Sequence, residues 1–241
     1  MLSGLLVLNL ACSDDDQETI TGTGTPTYDD PVLEAMATEG QVVTQAIMDK
    51  VPSWAQGTLG KKAATDPTYD EDCSCWTWTD HQSDESNPAF TWFRNWNFEV
   101  TFYQNEVPQQ AFEGADRIQA EIVYGYNDIR YSDELNQSNS HLNFNLNLNT
   151  TEFNEQSVVV SGSGGGNFAA SITQHGETIY HSYPIDLMLY QTIPVDGGCP
   201  TGSFDLDTGP ASFSIGFDGH PTAHWGYTPR PRPVAGGNPD V

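Results

Sequence analysis

From Phe90 onward the chain alternates apolar and polar residues with a period of two, the signature of strands with one buried and one wet face. Phe90, Trp92, Trp96, Phe98, Val100 and Phe102 share one parity, broken only by Arg94. Ile118, Ala120, Ile122, Tyr124 and Tyr126 repeat the pattern. Leu142, Phe144, Leu146 and Leu148 repeat it most cleanly, against His141, Asn143, Asn145, Asn147 and Asn149. A one-residue slip there would bury the amides and expose every large apolar group, so the register of this strand is expected to be strongly set. Residues 158–160 and 168–172 read as a hairpin about a glycine-rich turn at 161–166, and 178–183 and 185–193 as two strands separated by Pro184. A closing meander is expected at 203–206, 211–217 and 222–227, with turns at Asp207-Thr208-Gly209-Pro210 and Asp218-Gly219.

Ahead of the strands the period is helical. Asp30 suits an N-cap and Pro31 the first helical position, and Val32, Met36, Val43, Ile47 and Val51 recur at three- and four-residue spacing. Gly40 weakens the middle, and Pro52 predicts an end after Lys50. Residues 55–89 are polar and irregular apart from a short strand at 73–78. Residues 13–28, acidic and then Thr/Gly-rich, read as a flexible tether with a reach of about 20–25 Å. The Pro-rich tail 229–241 reads as extended and mobile. The expected fold is mainly β: an antiparallel β-sandwich or barrel-like sheet with one N-terminal helix, forming a single domain over 29–228. A transmembrane barrel would alternate too, but polar interruptions at both ends of the chain and two-residue turns argue against one.

The chain opens MLSGLLVLNLACSDDD. An apolar run from Leu2 to Ala11 stops at Leu10-Ala11-Cys12, and an acidic stretch follows at once. About ten apolar residues are too few to span a bilayer but suit the core of a signal peptide. The segment resembles the signal peptide of a bacterial lipoprotein, although Asn9 stands where a branched aliphatic residue is usual and no basic residue precedes Lys50. The resemblance covers residues 1–12. It implies that Cys12 is lipidated and becomes the new N-terminus, anchoring the protein to a membrane of the bacterial cell envelope. Ser13 stands where some members of that class carry an inner-membrane retention Asp, so the outer membrane or cell surface is the expected location.

Thirty-three acidic residues against eight basic ones leave a net charge of −25, and no Lys or Arg lies between Tyr131 and Pro229. Such a surface repels nucleic acid and anionic headgroups. It fits divalent cations as counterions, or a simple solubility device. With Cys12 lipidated, Cys73, Cys75 and Cys199 remain in an oxidising compartment. A Cys73–Cys75 bridge within an extended segment would be strained, so Cys199 is expected to pair with one or the other.

The chemistry-bearing residues are sparse. Asp207-Thr208-Gly209 resembles the Asp-Thr-Gly turn of aspartic proteases, but that chemistry needs a second carboxylate and no second copy occurs. A hairpin turn accounts for it. Of six histidines, His220 and His224 are four apart on strand-like flanks that deny them a shared helical face, while His175 and His181 flank a turn and could meet across it. Cys73, Cys75, Cys199 and His81 have an inventory for Zn or Cu(I) without paired spacing; a disulfide plus solvated histidines is the expectation, with no metal and no cofactor. No G-x-S-x-G, H-E-x-x-H or S-x-x-K occurs. The Asn row is a solvated face, or amides that bind sugar beside aromatics. Arg94 reads as an interior ion pair or barrel-mouth residue. The sequence therefore predicts an envelope lipoprotein built as a binding or structural β scaffold, its protein or glycan partner left open. The alternative is a surface hydrolase of polysaccharide or peptide, marked by two carboxylates roughly 5–10 Å apart beside exposed aromatics.

Overall fold

A computed structural model describes residues 66–133, 135–153, 156–194, 198–209, 211–220 and 223–229, together with 42, 43, 46, 47, 50, 51, 54 and 59. Cys12, the tether, the tail beyond Pro229 and the expected helix start at Asp30 and Pro31 lie outside the described residues.

Eleven strands form one antiparallel sheet: β1 Thr68–Asp70, β2 Cys75–Asn87, β3 Phe90–Gln104, β4 Val107–Gln109, β5 Arg117–Asp133, β6 Asn136–Phe153, β7 Ser157–Gln174, β8 Glu177–Pro194, β9 Thr201–Asp207, β10 Ala211–Asp218 and β11 Ala223–Pro229. Their order in the sheet is their order in the chain, save that β4 folds back on β3. The predicted parity holds across the whole width. One row runs Trp78–Phe98–Ile122–Leu146–Gly164–Leu187–Leu206–Phe213, each residue registered against the next. Leu142, Phe144, Leu146 and Leu148 are buried while Asn143, Asn145 and Asn147 are exposed. The opposite face, with Asn143, Asn145, Asn147, Ser163 and Asp186 in water, is the reverse of a lipid-facing barrel wall.

The buried residues of β2 through β10 join Val43, Ile47, Val51 and Trp54 in a single cluster. All four lie on helical backbone, as expected for Val43, Ile47 and Val51, whereas Trp54 lies past the end predicted at Pro52. Trp54 meets Trp78 and Phe98 edge-on, at 6.0 and 6.2 Å between ring centroids. Ten strands laid flat would be roughly 45 Å wide, far more than one helix about 10 Å across can cover. The sheet must therefore curl around the helical segment. Lys50 helps to fix it there, 3.6 Å from Asp80 and 4.7 Å above the Phe98 ring.

Three expectations are corrected. Residues 161–166 are not a turn but the middle of β7, eighteen residues long. Gly162, Gly164 and Gly166 sit on the concave parity, where a Cβ would overlap the carbonyl oxygens of Asn147, Asn145 and Asn143. The glycines are there so that β6 and β7 can pass closely. Pro184 does not interrupt the strand: β8 is continuous, and Pro184 pairs with Asn167 beyond the reach of β9, which ends opposite Asp186. With no ladder on that side, the missing N–H costs little. Finally, polar residues 79–87 extend β2 and pair with β3 down to Phe90. They lack an apolar parity because both faces are wet there.

Candidate functional site

The described helical residues meet the concave face around Trp78, Asp80 and Phe98, and six strands, β2, β3 and β5 to β8, continue past those contacts. On the projecting portion the concave parity changes character row by row. Gln82–Arg94–Tyr126–Leu142–Phe168–Tyr183 comes first, then Asp84–Trp92–Asp128–Ser140–Ala170–His181, then Phe90–Arg130–Ser138–Ile172–Ile179 at the tips. Leu142, Phe168 and Ala170 keep these rows apolar and buried on β6 and β7, while β2, β3 and β5 bring in Asp84, Trp92, Arg94, Asp128 and Arg130.

Arg94 lies flat against its neighbours, its guanidinium carbon 4.3 Å from the Trp92 ring centroid and 5.3 Å from that of Tyr126. Among the described residues it makes two cation–π contacts. Next to it, Asp128 is buried to 1 %. Its Oδ1 accepts the Ser140 backbone N–H at 3.1 Å and its Oδ2 accepts Arg130 Nε at 3.2 Å. The Arg130 guanidinium also stands 5.0 Å from the Phe90 ring. A buried carboxylate and an aromatic face thus hold a half-exposed guanidinium in one orientation. On β8, His181 Nδ1 is 3.2 Å from Tyr183 Oη. Of the four described cations, Lys50, Arg94 and Arg130 belong to the interior side of the sheet, and Arg117 pairs outside with Glu106 at 2.8 Å.

Asp84 and Asp128 flank Trp92 on adjacent strands, so their backbones stand about 10 Å apart on one face, the spacing set for a hydrolase. Their chemistry is wrong for it. The Asp84 carboxylate turns onto Ser86, whose side chain first and backbone N–H second lower its pKa below 3.8. Asp128 has committed both oxygens to Ser140 and Arg130.

The other sequence candidates do not converge. His175 sits at the β7–β8 tip with φ 52°, while His181 pairs with Ala170, four residue pairs further along and so roughly 13 Å away. They do not meet across the turn. His220 is exposed in the β10–β11 turn, and the His224 backbone pairs with Gly216. Asp207-Thr208-Gly209 is the hairpin turn expected, with Gly209 N–H donating to Asp207 Oδ1 at 2.8 Å. Cys73 and Cys75 are bonded to each other, Cα atoms 5.2 Å apart, which leaves neither sulfur for Cys199 and corrects the expected pairing. The segment is not extended as assumed: Ser74 has φ 54°, which turns the two cysteines towards one another. Glu99, not His81, is the ligand-bearing group beside them. While the sulfurs are joined they cannot act as thiolates.

Sequence reading stopped the second long strand at Tyr126 and so missed Asp128 and Arg130. The signal was present: their parity continues that of Ile118 to Tyr126, with charge in place of apolar groups. No family model, curated protein or solved structure matches the chain.

Proposed function

We propose that the protein is a lipid-anchored lipoprotein of the bacterial cell envelope, at the outer membrane or cell surface, that binds a ligand at the open end of its curled sheet without chemically altering it. The anchor rests on the apolar run ending at Leu10-Ala11-Cys12. The binding role rests on one observation: Trp92, Asp128 and Arg130 occupy the parity that is apolar core over the rest of the sheet. Aromatic and arginine side chains in a concavity recognise ligands at low entropic cost. A net charge of −25 disfavours nucleic acid as partner and suits divalent counterions around the envelope surface.

Trp92 supplies the readout. Trisaccharides, short peptides and fatty acids are offered to the mature chain while tryptophan emission and product formation are followed. One class is expected to change the emission, Trp92→Phe to erase that change, and no product to form. Cleavage that disappears in Asp84→Asn or Asp128→Asn would make the protein a hydrolase instead, and silence towards every class would remove the binding role. For the anchor, a chain carrying a restored basic n-region should fractionate with membranes, and its Cys12→Ser variant should be soluble. Retention of that variant on membranes would refute lipidation.

A further inference from the structure

At the tips of the projecting hairpins, where β5, β6 and β7 meet the β2–β3 turn, lies an open pocket of about 560 Å³. Its lining includes Arg130, Gln137, Ser138, Ser140 and Gln174. We propose that this pocket holds the end of a neutral glycan chain; the proposal rests on the binding reading above and names its ligand class.

Three observations carry it. The first is that Arg130 is built in. Its Nε is spent on the buried Asp128 carboxylate and its face on Phe90, which leaves the two Nη groups with no hydrogen bond to any described residue. A guanidinium so held offers a planar pair of donors, the geometry that matches two adjacent oxygens. The second is the composition of the remaining wall. The side chains of Ser138 and Gln174 also make no hydrogen bond to a described residue. Hydroxyls and amides both donate and accept, as sugar hydroxyls do, whereas a wall for a pure anion would offer donors alone. Asn136 has another duty: its amide nitrogen holds Asp133 and its oxygen accepts the His175 backbone N–H, locking the β5–β6 tip to the β7–β8 tip. The third is charge. Asp128 neutralises Arg130 within the site, and the chain around it carries −25, so a uronate or phosphate meets a repulsive field with no net positive charge to offset it. The pocket volume lies within the range of small-ligand sites and suits about two sugar rings.

The mature chain is titrated by calorimetry and NMR with maltotriose, cellotriose, chitotriose and mannotriose, and with trigalacturonate as the anionic counterpart. At least one neutral trisaccharide is expected to bind with an affinity unchanged between low and high salt. Arg130→Ala and Ser138→Val should each weaken it about tenfold, the loss of one good polar contact. Arg130→Lys, which keeps the charge but not the planar donor pair, should weaken it similarly, and thermal melts establish that all three variants fold. Binding of trigalacturonate alone, falling with salt, would overturn the neutral class. Neutral binding indifferent to the Arg130 and Ser138 variants would overturn the pocket. Failure of all four neutral trisaccharides, while peptides or fatty acids still change Trp92 emission, would refute the glycan and leave the binding reading standing; silence towards every ligand would remove both.

Discussion

The two halves of this sheet are made of the same strands and differ only in what lies on the concave side. In one half the helical segment fills the curl, and Phe98, Ile122, Leu146 and Leu187 are all buried to 3 % or less. In the other, the same parity carries Trp92, Arg94, Asp128, Arg130 and His181. Backbone pairing alone cannot stabilise six long strands in water, since much of a sheet's stability comes from side chains packed across it. The projecting half is therefore held by the filled half: Tyr126, Leu142 and Phe168 are still buried there, and the concave parity reaches solvent only towards the tips, at Arg130 and Ile179.

The sharpest way to break that division is to force β6 and β7 apart. Gly164→Ala places a methyl group against the Asn145 carbonyl and the Leu146 backbone, neither of which can move without separating β6 from β7. A loss of about 3 kcal/mol or more is expected, the range of severe overpacking. Gly165→Ala, one residue on, points to the wet face with its nearest contact 3.3 Å away at the Ile185 carbonyl, and should cost well under half as much. Urea melts compare the two. Equal losses would mean that the glycines are not what brings the strands together.

Truncation of matched apolar residues tests the halves directly. Leu146 is fully buried and Ile179, near the tip of β8, is 57 % exposed, although both lie on the concave parity. Leu146→Ala should lose about 2–5 kcal/mol of unfolding free energy. Ile179→Ala should stay within about 0.5 kcal/mol. A large loss at Ile179 would show that the core extends to the tips and would undo the claim that the concave parity reaches solvent there.

Legibility in the sequence follows the same boundary. Where one face is dry, alternation is enforced by burial, and strands such as Leu142–Leu148 are readable residue by residue, including which side chains go inside. Where both faces are wet the pattern has no such source, so residues 79–87 looked irregular although their backbones pair with β3, with one irregularity between Asp84 and Asn87. Glycines misled for a related reason. A run of them is the ordinary mark of a turn, and only the register shows that Gly162, Gly164 and Gly166 face β6 at close approach. The candidate site was almost illegible, because its residues come from separate strands and converge only through pairing. Arg94 alone, interrupting an apolar parity, gave it away. The Cys73–Cys75 bond was hidden by one dihedral angle at Ser74, which spacing does not encode.

The smallest expected effect concerns Asp84, which belongs wholly to the projecting half and is fully exposed. Hydrogen bonds from Ser86, side chain before backbone, hold its carboxyl below the ordinary value of 3.8. A depressed folded-state pKa contributes stability above the unfolded value, and that contribution is lost as pH falls through the folded one, so the window lies in acid below pH 3.8. Being in open solvent, the group is screened and its effect stays local. An NMR titration of the Asp84 side-chain carbon should give a midpoint below 3.8, and Ser86→Ala should raise it towards that value by removing the larger cause. The methyl signals of Leu146, in the filled half, should not follow the Asp84 titration in either protein. If they did, the two halves would be coupled more tightly than a shared backbone requires, and occupancy of the open end would be felt in the core.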